Sequence, residues 1–146
     1  YSEISLMYLK NIFIIIKKNT GGILIIDYGF TDGKMKNTLQ SVSNHKFANI
    51  LENIGNVDIT HKINFKLFEN FAKKIGGLTN ILTTQKKFLI NMGIKQRAEI
   101  ISRNESFLKK ADIYYRLNRL IDEKQMGNLF KVMFKKNKKN KFKQGF

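Results

Sequence analysis

Cysteine and proline are both missing from the 146 residues, and histidine occurs only twice, as His45 and His61. Without thiols the chain holds neither a disulfide nor a thiolate metal site, and its composition fits a reducing interior, so a cytoplasmic localisation is expected. Without proline nothing marks a linker, and no internal repeat is visible. A hydrophobic content of 42% over this length supports one ordinary core, so one domain or part of one is expected. Long apolar runs are also absent. Ile12 to Ile16 is cut from Ile23 to Ile26 by Lys17, Lys18, Asn19 and the Gly21-Gly22 pair, well short of the roughly 18 to 20 residues of a membrane span.

The missing patterns narrow the chemistry further. His45 and His61, taken with Asp27, Asp32 and Asp58, show no metal-ligand spacing, so no metal site is expected and the histidines read as polar turn or strand-end residues or as substrate contacts. No glycine-rich phosphate loop is present, because Gly21-Gly22 precedes an aliphatic run instead of following one. Acidic residues are scarce, with 11 Asp+Glu against 27 Lys+Arg and a net charge of +16. Such an excess ordinarily points to nucleic acid, anionic membrane or an acidic protein. Here only four of the cations are arginine, namely Arg97, Arg103, Arg116 and Arg119, and the lysines are scattered among Asn and Ile as AT-rich coding produces. The charge therefore selects no face, and nucleic acid is disfavoured as a partner. The one concentration, Lys131 to Lys143, reads as a solvated tail, with residues 135–146 expected to be flexible. Phe134, Phe142 and Phe146 within it would permit weak, sequence-independent nucleic-acid binding.

What is present has the rhythm of an α/β protein. Leu9, Ile12, Phe13 and Ile16 follow the spacing of a helix face, with Ser2 as N-cap and Lys17 and Lys18 in the last turn. Because Ser2-Glu3 opens directly into this helix and the first residue is Tyr, the chain reads as beginning within a longer protein, without a signal peptide. Ile23-Leu24-Ile25-Ile26 then reads as a strand buried on both faces of a parallel sheet. It ends in Asp27-Tyr28-Gly29, where α/β sheets place their ligands. Asp27 has two readings: a carboxylate held at that edge, its pKa raised if dehydrated, or a cap on the following turn.

Downstream, Phe30 to Asn37 reads as a surface loop and Thr38 to Val42 as a short strand. Phe47, Ile50 and Leu51 suggest a short helix ended by Gly55, and Val57 to Ile63 an extended segment. Asn64 caps an amphipathic helix with Phe68, Phe71, Ala72 and Ile75 on one face, closed by Gly76 and Gly77. Leu78 to Thr84 reads as a strand. Helices follow over Phe88 to Met92, Ile94 to Arg103 and Phe107 to Leu120, the last with Leu108, Ala111 and Tyr115 on its packing stripe and Tyr114 and Tyr115 expected in the core. Asp122 is expected to cap a last short helix, and Leu129 to Phe134 to form a closing strand.

Several short words in this order resemble the MidA family of methyltransferases. They are Gly21-Gly22-Ile23-Leu24-Ile25-Ile26-Asp27-Tyr28-Gly29, Thr38-Leu39-Gln40, His45-Lys46-Phe47, Val57 to Phe65, Thr84-Gln85 before Phe88-Leu89, Gly93-Ile94 before Arg97, and Met126 to Val132. The resemblance implies a class I, Rossmann-like sheet dependent on S-adenosylmethionine, of which this chain supplies the C-terminal half in residues 1–134. Ile23 to Asp27 would be the fifth strand, Leu78 to Thr84 the sixth, and Phe130 to Phe134 the seventh, antiparallel between them, with helices flanking the sheet. The glycine-rich loop, the acidic residue and the Asn-Glu motif that build the family's cofactor pocket are not found in this chain, so no cofactor-binding residue is assigned and the isolated chain is expected to be inert. A protein arginine is the implied acceptor, on a respiratory complex I subunit in the case of the family's mitochondrial member, and a separate N-terminal piece is an implied partner. Asp27, Tyr28, Gln40, His45, Asp58, Thr60 and Gln85 are the implied substrate-side residues, and no catalytic residue is identified. The competing reading from composition is a basic module that binds nucleic acid or an acidic protein, with steep salt dependence. A strand left without a neighbour would also expose an unpaired edge, so the isolated chain is expected to aggregate or be molten.

Overall fold

The computed structural model describes residues 2–34, 36–44 and 46–146. The first helix, α1 (Glu3–Lys18), begins where Ser2 Oγ accepts the Ser5 amide at 3.3 Å and carries Lys17 and Lys18 in its last turn. Both ends thus complement the helix dipole. Its buried stripe is Leu9, Phe13 and Ile16, with Phe13 fully enclosed. Strand β1 (Gly22–Phe30) follows, then three short strands, β2 (Gln40–Ser43), β3 (Lys46–Ala48) and β4 (Asp58–Thr60), that form a small antiparallel sheet in the order β3-β2-β4. β5 (Ile63–Asn64) leads directly into α2 (Phe65–Ile75), whose Asn64 cap accepts the Leu67 amide at 3.2 Å and whose end is set by Gly76 at φ 70°.

After α2 come β6 (Leu78–Thr84), helices α3 (Gln85–Asn91), α4 (Ile94–Ser102), α5 (Phe107–Ile121) and α6 (Met126–Leu129), and finally β7 (Phe130–Asn137). The main sheet has the order β5-β1-β7-β6. β5 is parallel to β1, and β7 is antiparallel to both β1 and β6. The last strand therefore sits between two strands that run in the same direction, as the resemblance implies. The β1–β5 contact is close at Gly29, where an added Cβ would collide with the Ile63 carbonyl.

One face of this sheet is covered by α1 and α2, with Ile23, Ile25 and Leu78 packed against Leu9, Phe13, Ile16 and Ala72. A second cluster joins α3, α4 and α5 through Ala98, Leu117 and Ile121. Burying side chains of this size is worth about 1.5 to 3 kcal/mol each.

Four expectations are corrected. β1 is buried on one face only: Leu24 and Ile26, alternating with the more buried Ile23 and Ile25, are 45% and 46% exposed, with no helix over them among the described residues. The segment after residue 46 is no helix. Phe47 pairs with Val42 in β3, and Asn49 Oδ1 takes the Leu51 amide at 3.1 Å, a local bond that competes with helical pairing. On α5 the stripe of Leu108, Ala111 and Tyr115 faces solvent, Tyr114 is exposed as well, and Ile113, Leu117, Leu120 and Ile121 face inward.

The fourth concerns the lysine run. A flexible tail from residue 135 is not what forms, since β7 continues to Asn137 and buries Lys135, Lys136 and Asn137. Lysine stems pack along the sheet while their heads seek polar contacts, and Lys136 Nζ donates to the Phe142 carbonyl at 2.6 Å. Asn137 Nδ2 donates to the Ile16 and Lys17 carbonyls at the end of α1, and Asn140 Nδ2 to the Thr20 carbonyl. Phe142 and Phe146 fold back onto Phe134, and Phe146 also meets Phe88. These rings pack on one another, with Phe134 buried and Phe142 still 47% exposed.

Lys135 is 2% exposed, and burial pushes its ammonium down to about 8 from 10.5, with Glu69 opposing and Lys73 adding to the shift. Between those values the unfolded chain holds a proton that the folded chain has released, so folding stability rises with pH across that window. We expect thermal melts to show a midpoint that climbs between pH 8 and 10. Lys135→Met should melt higher at pH 7 and show a flat profile. An unchanged midpoint for Lys135→Met at pH 7 would mean that the lysine head escapes to water.

Candidate functional site

Because β7 runs against β1 and β6, the carboxyl ends of those two strands and the start of β7 meet at one edge of the main sheet. Asp27, Lys131 and Thr84 form one row across it, paired in register as Asp27 with Lys131 and Lys131 with Thr84. Residues directly opposite share a face. Asp27 and Lys131 are nonetheless engaged elsewhere: Asp27 Oδ1 accepts the Tyr28 amide at 2.8 Å, and Lys131 Nζ donates to the Asn128 carbonyl. The Asp27 bond lies within β1, so Asp27 stands at the sheet edge with one carboxylate oxygen engaged by its neighbour and caps no turn through it. Tyr28 sets its ring edge-on to Phe130, centroids 5.6 Å apart. Beside Lys131 a small pocket of about 290 Å³ is lined by Thr31, Leu82, Thr83, Thr84 and Lys87 as well. Burial lowers the pKa of Lys131.

A larger groove of about 640 Å³ opens at the end of β1. Its walls come from the first turns of α1 (Ser2, Ser5, Leu6), from Phe30, from residues Lys36 to Leu39, from His61 to Asn64, and from Leu67 and Phe68 of α2. The walls meet because β5 pairs with β1, Gly29 against Ile63 and Phe30 against Asn64. Thr38 Oγ1 accepts the Lys62 amide at 3.0 Å and ties the two loop segments together. Lys36 hydrogen-bonds Asp32 and stands 4.9 Å from the centroid of Phe30, and that bond holds the Asp32 carboxyl below its ordinary value.

The small sheet gathers three of the candidate residues. Gln40 pairs with Thr60 and Val42 with Asp58, so Gln40, Asp58 and Thr60 share one face with Val42 and Phe47. Thr60 Oγ1 on that face, and Ser41 Oγ at the alternate position of β2, are buried without a hydrogen-bond partner among the described residues. Asp27 and Tyr28 belong to the main sheet instead. Gln85 is 7% exposed and its Nε2 donates to the Leu120 carbonyl at 2.9 Å, which pins α3 to α5. His45 lies outside the described residues. Sequence reasoning missed Lys131, Thr84 and the apolar groove residues Leu6, Phe30, Leu39, Ile63, Leu67 and Phe68. No local signal marks them, since the β1–β5 pairing alone brings the groove's walls together. Among the described residues no group of three metal-ligating side chains occurs, and no helix is long and apolar enough to cross a membrane.

Comparison with known proteins adds the following. The family described as "Putative S-adenosyl-L-methionine-dependent methyltransferase" matches residues 2–84. Protein arginine methyltransferase NDUFAF7, mitochondrial, is 30% identical over 118 residues in Danio rerio, covering 79% of this chain and 27% of the relative. The Xenopus tropicalis protein of the same name is 33% identical over 115 residues, 76% of this chain and 26% of the relative. The human one is 30% identical over 113 residues, 75% and 25%. The chain thus spans about a quarter of the length of the curated relatives it matches. Two crystal structures of proteins from Burkholderia thailandensis, both of one superfamily, share its fold. One has a TM-score of 0.81 and the other 0.79, each at 24% identity, covering all of this chain and 40% and 39% of theirs; the second was solved bound to S-adenosyl-homocysteine.

The position of Gln85 yields a test. Gln85→Ala leaves the Leu120 carbonyl without its donor and should cost about 1 to 3 kcal/mol in urea unfolding. Thr60→Val, which removes a hydroxyl that has no partner, should be neutral or stabilising. Equal losses for the two would show that Gln85 contributes nothing beyond its volume.

Proposed function

The chain belongs to this family of S-adenosylmethionine-dependent methyltransferases, and from that premise we propose that it is the C-terminal part of the catalytic domain, with residues 1–134 as strands five to seven and their helices. The observation that carries this reading is the main sheet itself. β1 and β6 run parallel with β7 reversed between them, while Gly22 to Tyr28 of β1 has a paired strand on one side only among the described residues. Leu24 and Ile26, half exposed beside that edge, supply the apolar surface that a further strand and helix would cover.

The described residues do not fit the cofactor by themselves. Neither pocket has a carboxylate in its lining to take ribose hydroxyls. No glycine-rich turn joins a strand to a helix, because β5 and β6 pass straight into α2 and α3 through Asn64 and Thr84. On this reading the cofactor is held by residues beyond these, and no step of methyl transfer is assigned to this chain. Holding the sulfonium in line with its acceptor supplies about 7 to 11 kcal/mol of such a barrier. Without it the chain alone is inert. The acceptor is a protein side chain, an arginine by likeness to the relatives that bear that name. Gln40 and Asp58 on the small sheet, with Asp27 and Tyr28 at the strand end, are the residues this reading assigns to the acceptor side, and Thr60, its hydroxyl buried, supports the small sheet behind them.

Calorimetry with S-adenosylmethionine tests the division. The chain alone should give no binding heat. Co-expressed with the segment that precedes the matched region in a Burkholderia thailandensis relative, it should co-purify and bind. Saturable binding by the chain alone, or no binding by the co-purified pair, would sink the proposal.

A further inference from the structure

The groove beside α1 and α2 has a chemistry of its own. Its floor is apolar, formed by Leu6, Phe30, Leu39, Ile63, Leu67 and Phe68. The polar groups among its walls are largely committed: Asn64 Oδ1 caps α2, Thr38 Oγ1 holds the Lys62 amide, and the Ser2 and Ser5 hydroxyls bond each other at 3.0 Å. Such a wall offers little to a sugar or a nucleobase and much to an apolar side chain. At about 640 Å³ it exceeds any single side chain, so a segment of chain fits it better than one residue.

The side chains in its lining that carry a fixed charge are both lysines. Lys36 and Lys62 are in the lining and no aspartate or glutamate is. Lys36 shares its charge with Asp32, whereas Lys62 is exposed and enters no ion pair among the described residues. The amino end of α1 also opens here and adds the positive end of its dipole, which Glu3 in the same first turn partly offsets. With +16 over the whole chain, the trough lies under a positive field.

We infer that this groove docks an acidic segment of a protein chain, with a large apolar side chain in the trough and carboxylates on either side against Lys62 and the start of α1. The inference rests on the reading that the family member acts on a protein, and it names the kind of segment that is recognised. Field-driven recognition of this kind weakens with salt and opposes a lysine-rich segment of the same apolar content.

Fluorescence anisotropy on the full chain tests it with three labelled peptides: a central Phe flanked by Glu, the same Phe flanked by Lys, and the Glu peptide with Phe replaced by Ser. The Glu–Phe peptide should bind at least about tenfold more tightly than either other. Leu39 is 51% exposed, so Leu39→Asp can alter the trough without touching the core. It should reduce that binding about tenfold, and Lys62→Glu should do likewise while improving binding of the Lys-flanked peptide. Leu108→Asp, on the far apolar stripe of α5, should change nothing. Circular dichroism confirms the fold of each variant, and Leu39→Ser carries the same test where Leu39→Asp unfolds. Equal binding of the three peptides, a loss confined to Leu108→Asp, or an oligonucleotide that outcompetes the acidic peptide through Lys62 would each overturn the inference. No cofactor enters this measurement, so its failure and that of the cofactor titration are separately visible.

Discussion

The main sheet depends on β7. Its seven register pairs with β1 and seven with β6 are what join those two parallel strands in the sheet. Its centre, Val132 and Met133, is fully buried, and its far end reaches across to the α1 carbonyls through Asn137. Removing β7 would take away the floor on which α1 and α2 rest. The pairing is also non-local, since β7 is the last strand and closes on β1 only after the whole helical excursion of α3 to α6. Chains ordered by such contacts meet the loop-closure cost before the contacts repay it. Neither half of the sequence can therefore form the sheet without the other.

Elements whose determinants are local were legible in the sequence. α2 was readable because its cap, its apolar face and its stop are all written within a dozen or so residues, from Asn64 to Gly76. β6 and the body of β7 were readable from β-branched and aromatic content. The reading failed where a distant partner decides the outcome. Phe47, Ile50 and Leu51 have helical spacing, yet Phe47 pairs with Val42 and the asparagines around it satisfy the backbone locally. On α5 periodicity identifies a helix but cannot say which of two apolar stripes faces Leu89, Ile94 and Ala98. Lys135 and Lys136 looked solvated because charge outweighs the long aliphatic stem in any composition argument. In the strand the stem is what packs.

The candidate site shows the same division. Gln40, Asp58 and Thr60 were brought together by a family resemblance, and strand register explains why they share a face. The groove could not be read from any local pattern, because its walls come from stretches far apart in the sequence, brought together in part by two register pairs between β1 and β5 and by the Thr38–Lys62 bond. Gln85 lies apart from Gln40, Asp58 and Thr60, its side-chain amide donating to the Leu120 carbonyl between α3 and α5.

The surface left without partners gives the charge a further physical meaning. Leu24 and Ile26 beside the open side of β1, Phe107, Leu108 and Tyr115 on α5, and Phe47, Leu51 and Ile54 around the small sheet are all substantially exposed. Separate apolar patches and a strand edge of this kind ordinarily lead copies of a chain to associate. Two copies that approach edge to edge bring together two bodies of +16, and their repulsion extends over a Debye length of about 8 Å at physiological salt. A partner that is itself acidic meets no such barrier.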